Sequence, residues 1–162
     1  MRKAILRRLS TIVFGVLVSQ VALAADDNQA LVLQVADRAL SAINAGDSIA
    51  LTDLMIEEGM FYSSEVSDGE YTVRSRTWSA ARERTSGAKI TERGFDPQVM
   101  ISGEVAMIWY PYDLYVDDQW SHCGVDIFTL LATNFGWKIS SFSWSVEQPP
   151  ACRMHPDGVP AS

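Results

Sequence analysis

The spacing of hydrophobic and polar residues changes near Ala88, from a helical period before it to an alternating period after it. Apolar residues three and four apart are typical of amphipathic helices. Within the first helix, Leu31, Val35, Leu40 and Ile43 follow this spacing. The first half is predicted to contain helices over 28–44, 49–55 and 73–84, a short strand over 60–62 and a polar loop over 63–71.

After Ala88 the residues that favour β-structure dominate, and turn signals separate them into segments. The predicted strands cover 89–93, 98–102, 104–116, 119–132 and 137–146. Asp117-Asp118 is predicted to be a two-residue hairpin turn. Helices followed by a long meander indicate an α+β domain, with the helices on one face of a curved antiparallel sheet.

The N-terminus has the order typical of a secretory signal peptide. Four basic residues precede an apolar stretch over 12–18, and Ala22-Leu23-Ala24 has the small-x-small pattern of a cleavage site. Cleavage is expected after Ala24, and export to the periplasm or the medium is expected with it. The chain is thus divided into a signal peptide over 1–24, one domain over 25–147 and an irregular, proline-rich tail over 148–162.

The charge balance restricts the class of partner. The chain has 13 basic and 20 acidic residues, and removal of the four basic residues of the signal peptide leaves 9 basic residues against 20 acidic ones. A net charge of about −11 repels nucleic acid and anionic membranes. We therefore expect no nucleic-acid partner, and no membrane partner after cleavage.

The two cysteines, Cys123 and Cys152, both lie in the predicted mature chain. An even pair in an oxidising compartment favours one disulfide, although two unrelated thiols are the alternative. A bridge would join the tail to the strand over 119–132.

Several segments resemble an exported bacterial branch of the nuclear transport factor 2-like (SnoaL-like) superfamily, over about residues 27–147. The segments are Ala45-Gly46-Asp47 between two helices, Gly103-Glu104-Val105-Ala106 before Trp109-Tyr110-Pro111-Tyr112, the run from Ser121 to Asp126, and Gly136-Trp137-Lys138-Ile139. The resemblance implies a cone-shaped sheet around the helices with a pocket inside. Members of the superfamily include isomerases, cyclases, dehydratases, epoxide hydrolases and non-catalytic binding domains, so the fold does not select one activity.

A two-residue turn at Asp117-Asp118 would fix which residues face each other across the hairpin. It places Asp113 opposite His122, with Cβ atoms about 4.5–5.5 Å apart, on one face with Trp109 and Asp126. A carboxylate beside an imidazole would orient the ring and raise its pKa. The same register sends Ser121 and Cys123 to the opposite face, which argues against a local Ser–His or Cys–His pair.

The preferred hypothesis is a binding domain for an apolar or aromatic small molecule, because a pocket with aromatic walls and a few polar groups is typical of such sites. Its candidate ligand-binding residues are Tyr62, Trp109, Tyr115, Trp120, His122, Asp126 and Trp144. No metal or cofactor is expected, since His122 with Asp113 falls short of the three or four ligands that zinc needs.

Two alternatives remain open. One is an enzyme of the isomerase, cyclase or dehydratase type, in which His122 is the base, Asp113 orients it and Asp126 is a second acid or base. The other is a homodimeric association module. Its interface would be the opposite face of the sheet, which carries Tyr110, Tyr112, Val125 and Ile127.

Overall fold

The structure is a computed structural model that describes the backbone of residues 16–85 and 87–160, and side chains from Asp27 onward. It contains three helices and seven strands in these ranges. The elements are α1 (Val16–Ala45), α2 (Ser48–Asp53), β1 (Met55–Ser67), β2 (Glu70–Thr77), α3 (Trp78–Arg82), β3 (Ile90–Gly94), β4 (Gln98–Ser102), β5 (Val105–Val116), β6 (Gln119–Thr133) and β7 (Gly136–Val146).

All seven strands form one curved open sheet in the order β2-β1-β7-β6-β5-β3, and β4 pairs with β5 beyond the end of β3. The helix α1 lies on the inner face of this sheet. It packs mainly against β3, with further contacts to β4, β5 and β7. The hydrophobic core includes Val32, Ala36, Leu40, Ile108, Phe128, Leu130, Ile139 and Phe142. The α+β class and the helices on one face are confirmed. The sheet is mixed rather than antiparallel throughout, because β1 and β7 run parallel.

The predictions for the first half were partly wrong. The segment over 63–71 is no loop and 73–77 is no helix, because β1 and β2 pair as a long antiparallel hairpin. Asp68 and Gly69 form its turn with φ values of 54° and 81°. The helix after β2 has only five residues, and the Thr77 side chain caps it by accepting a hydrogen bond from Ala80 N at 3.2 Å. Pairing with β1 thus outweighs the helix propensity of this segment.

The predictions for the second half were confirmed within one or two residues at each strand end. Asp117 and Asp118 have φ values of 50° and 61°, which are those of the predicted two-residue turn. In the helical part, Asp47 caps α2 by accepting a hydrogen bond from Ala50 N at 2.8 Å.

Residues 1–15 of the predicted signal peptide lie outside the described residues, and residues 16–24 form the start of α1. Cleavage after Ala24 therefore stays a prediction. Among the described helices, none is long and apolar enough to cross a membrane.

The tail is attached to the sheet at its outer face. The predicted disulfide between Cys123 and Cys152 is present, with Cα atoms 5.8 Å apart. Cys123 also exchanges two backbone hydrogen bonds with Glu147, which follows β7. Over its described residues, 148–160, the tail has no helix or strand. It covers one end of the outer face.

Candidate functional site

A β-bulge in β6 determines which side chains face the interior. Tyr115 pairs with Trp120 as the turn predicts, but Leu114 pairs with His122, so Ser121 is an extra residue in β6. A bulge of this kind shifts every later residue of the strand to the other face. His122 and Asp126 consequently point into the interior.

The predicted pair of Asp113 and His122 is therefore wrong. Asp113 lies opposite Cys123 and points to the outer side of the sheet. There the carboxylate accepts two hydrogen bonds from Arg93, from Nε at 2.9 Å and from Nη2 at 2.6 Å. The Asp113 side chain is 0% exposed, and His155 of the tail donates its backbone N–H to it. This arrangement makes Asp113 part of a buried ion pair under the tail and excludes it from orienting His122.

A cavity of about 330 Å³ lies between the inner face of the sheet and the helices. Its volume is at the small end of the range of roughly 300–1,000 Å³ for ligand sites. The lining is mostly apolar and aromatic. The lining residues are Ile43, Leu51, Phe61, Arg76, Arg84, Ile90, Glu92, Tyr112, Leu114, Val116, Ser121, His122, Asp126, Phe142 and Trp144.

Two buried carboxyl groups meet at the inner end of this cavity. Glu92 of β3 and Asp126 of β6 are 7% and 1% exposed. Burial raises the pKa of Glu92 to about 7, and burial together with the neighbouring Glu92 raises the pKa of Asp126 well above its usual value. Glu92 Oε1 and Asp126 Oδ2 have no hydrogen-bond partner among the described residues. One shared proton would supply the donor that two facing carboxylates lack.

The surroundings hold this pair in place. Asn44, near the end of α1, donates to the backbone carbonyl of Glu92 at 2.9 Å and accepts from the Glu92 N–H at 2.6 Å. Tyr112, beside Asp126 on the inner face, donates its hydroxyl to Ser145 O at 2.7 Å. Gly124 allows this close approach of β7, because a Cβ there would overlap the Ser145 carbonyl.

His122 lies on the same wall with one free nitrogen. Its Nδ1 lies 2.9 Å from the Ser121 hydroxyl, and its Nε2 is buried without a partner among the described residues. The bulge lets both side chains face the cavity, so the expectation that Ser121 points away from His122 was wrong. Burial lowers the pKa of His122, and the more distant Glu65 opposes this only in part. This direction is opposite to the expected rise of the His122 pKa, because burial dominates and Asp113 lies on the other face of the sheet.

The other predicted ligand-binding residues are divided between the two faces. Trp144 lines the cavity with His122 and Asp126. Tyr62 and Trp109 instead line a shallow apolar groove on the outer face, together with Val125 and Ile127.

Tyr115 is also absent from the interior cavity, because it alternates with the cavity residues Leu114 and Val116 along β5 and pairs with Trp120 on the outer side. Their rings pack edge to face at 5.5 Å, and the Trp120 indole donates to Gln148 at the start of the tail. Trp120 thus links the tail to the sheet, and Tyr115 packs against its ring.

The face predicted for a dimer interface is divided as well. Tyr110 and Tyr112 are buried in the interior, at 8% and 1% exposure. Only Val125 and Ile127 of that set lie on the outer groove. A homodimer stays a prediction, and any interface on this sheet would use the outer groove instead.

Glu92 was not predicted as a site residue because polar residues flank it on both sides, in Ile90-Thr91-Glu92-Arg93. Arg76 was missed because its segment was assigned to a helix. Both residues enter the site through strand pairing: Glu92 lies opposite Leu114, and Arg76 lies opposite Phe61. The signal that could have placed Arg76 is Asp68-Gly69, a strong hairpin dipeptide.

Comparisons with known proteins support the fold. No protein-family model matches the chain, and no curated protein matches it in sequence. Solved structures do match. A nuclear transport factor 2-like protein with a cystatin-like fold from Novosphingobium aromaticivorans has a TM-score of 0.64 at 14% identity, covering 85% of this chain and 94% of its own.

Two further structures have the same architecture. A nuclear transport factor 2-like protein from Cytophaga hutchinsonii has a TM-score of 0.59 at 14% identity, covering 73% of this chain and 97% of its own. A suggested dehydratase of the same family from Streptomyces avermitilis has a TM-score of 0.57 at 18% identity, covering 75% and 97%. At these identities the similarity concerns the fold. The chain therefore has the nuclear transport factor 2-like, cystatin-like fold that its sequence motifs resemble.

Proposed function

We propose that this domain binds a small, mainly apolar molecule in the interior cavity, with its polar group directed at Glu92, Asp126 and His122. The observation that carries the proposal is that three buried polar atoms around one cavity have no hydrogen-bond partner among the described residues: Glu92 Oε1, Asp126 Oδ2 and His122 Nε2. A proton shared by the two carboxyl groups would satisfy one contact between them, and it leaves His122 Nε2 and further carboxyl lone pairs for a ligand. A buried polar atom without a partner costs about 1–3 kcal/mol. A ligand that supplies a donor or an acceptor there would recover part of this cost.

The walls between these atoms favour an apolar or aromatic ligand body. Phe61, Phe142 and Trp144 form an aromatic cluster on one side, with the Phe142 and Trp144 ring centroids 5.2 Å apart. Leu51 and Ile90 line the other part of the cavity. Apolar walls supply affinity through burial, whereas the few polar atoms supply orientation.

The first prediction tests this site by filling it. Leu114→Trp adds an indole where Leu114 lines the cavity, and we expect the affinity for a neutral fluorescent probe such as 1-aminoanthracene to fall by about 10-fold or more. Ile127→Trp is the matched control, since Ile127 is a half-buried residue of the outer groove. Its affinity should stay within about 2-fold of the wild type. Calorimetric titration measures both, and an equal loss in the two variants would place the probe outside the cavity.

A second candidate function is proton-transfer catalysis at the same site. The specific observation in its favour is the pair of buried carboxyl groups with raised pKa values, since a general acid or base is most effective when its pKa lies near the working pH. Glu92 and Asp126 would be the acid–base pair, and His122 Nε2 would hold the reacting group. Asp113 has no part in this scheme, because it is paired with Arg93 on the other face.

We also propose that the protein is exported, as the N-terminal pattern predicts, and the disulfide between Cys123 and Cys152 is compatible with this. N-terminal sequencing of the exported protein should begin at Ala25. A sequence that begins at Met1 in a protein found only in the cytoplasm would contradict the proposal.

A further inference from the structure

Two arginine side chains at the mouth of the cavity have no carboxylate partner among the residues that the structure describes. Arg76 lies near the end of β2, and Arg84 lies just after α3, so two different elements bring them to the same opening. None of the ion pairs among the described residues includes either one. By contrast, Arg74, Arg82 and Arg93 each contact a carboxylate.

This absence is unusual for the composition of the chain. Acidic residues outnumber basic residues by 20 to 13, so partners for an arginine are plentiful. Asp47 lines the recess next to Arg84, but its side chain caps α2 instead. Arg76 is half-buried, and burial followed by the charge of Arg84 lowers its pKa. An anion between the two guanidinium groups would relieve both effects.

The two ends of the cavity therefore carry different groups, carboxyl groups at one end and guanidinium groups at the other. Glu92 and Asp126 are almost fully buried and mark its inner end, whereas Arg84 is exposed and marks its mouth. Apolar walls that include Leu51 and Phe61 lie along the cavity with both groups. Burial and the neighbouring Glu92 raise the pKa of Asp126, so the inner end disfavours further negative charge and suits a neutral polar group better than an anion.

We propose that the ligand is an amphipathic organic acid, whose carboxylate binds Arg76 and Arg84 while its neutral polar end meets Glu92 and Asp126. This inference rests on the proposed binding function. Arginine suits the role because its planar guanidinium donates two parallel hydrogen bonds to a carboxylate. A mainly apolar body would lie between the two ends against the aromatic cluster.

The test uses matched acids and amides on the full protein. Three pairs are titrated by calorimetry: benzoate with benzamide, 2-naphthoate with 2-naphthamide, and decanoate with decanamide. In at least one pair the acid should bind about 10-fold more tightly than the amide, since hydrogen bonds between charged groups are the stronger ones. Arg76→Gln should lower the affinity for that acid by about 10-fold and the affinity for its amide by less than about 2-fold.

Two further variants complete the design. Arg76→Lys keeps the charge but loses the two parallel hydrogen bonds, so its acid affinity should lie between those of the wild type and Arg76→Gln, which separates loss of charge from loss of folding. Arg38→Gln removes a charge from an exposed position on α1 and should leave both affinities unchanged. Equal binding of acid and amide, or equal losses in Arg76→Gln, would overturn the inference while leaving the binding function intact. Failure of all six compounds to bind would overturn both.

Discussion

Glu92→Gln is expected to stabilise the protein at neutral pH and to reduce the fall of its stability between about pH 4.5 and pH 8. Glu92 has a folded-state pKa of about 7, raised from 4.5 chiefly by burial. Between these two values the unfolded chain has lost this proton and the folded chain keeps it. The stability of the wild type therefore decreases as the pH rises through this window, and no further loss arises from Glu92 above it.

The size of the effect follows from the shift. A pKa difference of this size corresponds to about 3 kcal/mol between the ends of the window. We expect the free energy of unfolding of Glu92→Gln, minus that of the wild type, to grow by about 3 kcal/mol from pH 4.5 to pH 8. Urea denaturation at a series of pH values measures this difference. Glu104→Gln is the control, because Glu104 is exposed in the turn before β5.

Asp126→Asn should change the pH dependence of stability in the same direction, since the pKa of Asp126 is also raised. A difference that shrinks toward high pH in both variants would mean that the two carboxyl groups are ionised in the folded protein.

The same variants separate the two candidate functions. A binding domain should keep ligand affinity within a few-fold, whereas an enzyme should lose turnover by about 100-fold or more.

The sequence predicts the part of the fold that depends on local signals. The strand lengths after Ala88 follow from turn dipeptides and β-formers, and the Asp117-Asp118 turn is where it was expected. The assignment of the segment over 63–77 was wrong, because its structure depends on pairing with a distant strand. Its residues alternate weakly, and its strand character comes from pairing with β1 rather than from its own propensity. Asp68-Gly69 was the local signal that could have corrected the assignment.

The site was less predictable than the fold, because a shift of one residue in the strand pairing decides which side chains face the cavity. Asp126 was predicted because burying an acid within an apolar strand is costly unless the acid has a role, and it does line the inner end of the cavity. Its partner was not found. The bulge at Ser121 moves His122 and Asp126 to the face of the sheet opposite to that of Asp113. No turn residue in the sequence marks the position of this bulge. Glu92 and Arg76 reach the cavity only through contacts with distant strands.

Asp113→Asn is expected to destabilise the protein by about 3–5 kcal/mol, because it removes one partner of a buried ion pair and leaves the other charge uncompensated. Asp113 is fully buried, and Arg93 is 18% exposed and also donates to Gly158 O at 2.6 Å. Asp118→Asn is the matched control. Its ion pair with Lys89 is exposed on both sides, so the loss should stay below about 1 kcal/mol.

A double variant and a titration show that this effect is structural. Replacing both partners, in Asp113→Leu with Arg93→Met, should cost less than Asp113→Asn alone, because no buried charge is then left unpaired. The His122 pKa measured by NMR should be the same in Asp113→Asn as in the wild type, since the two side chains lie on opposite faces of the sheet. A lower His122 pKa in the variant would show that Asp113 acts on the imidazole after all, and would return it to the acid–base machinery of the cavity.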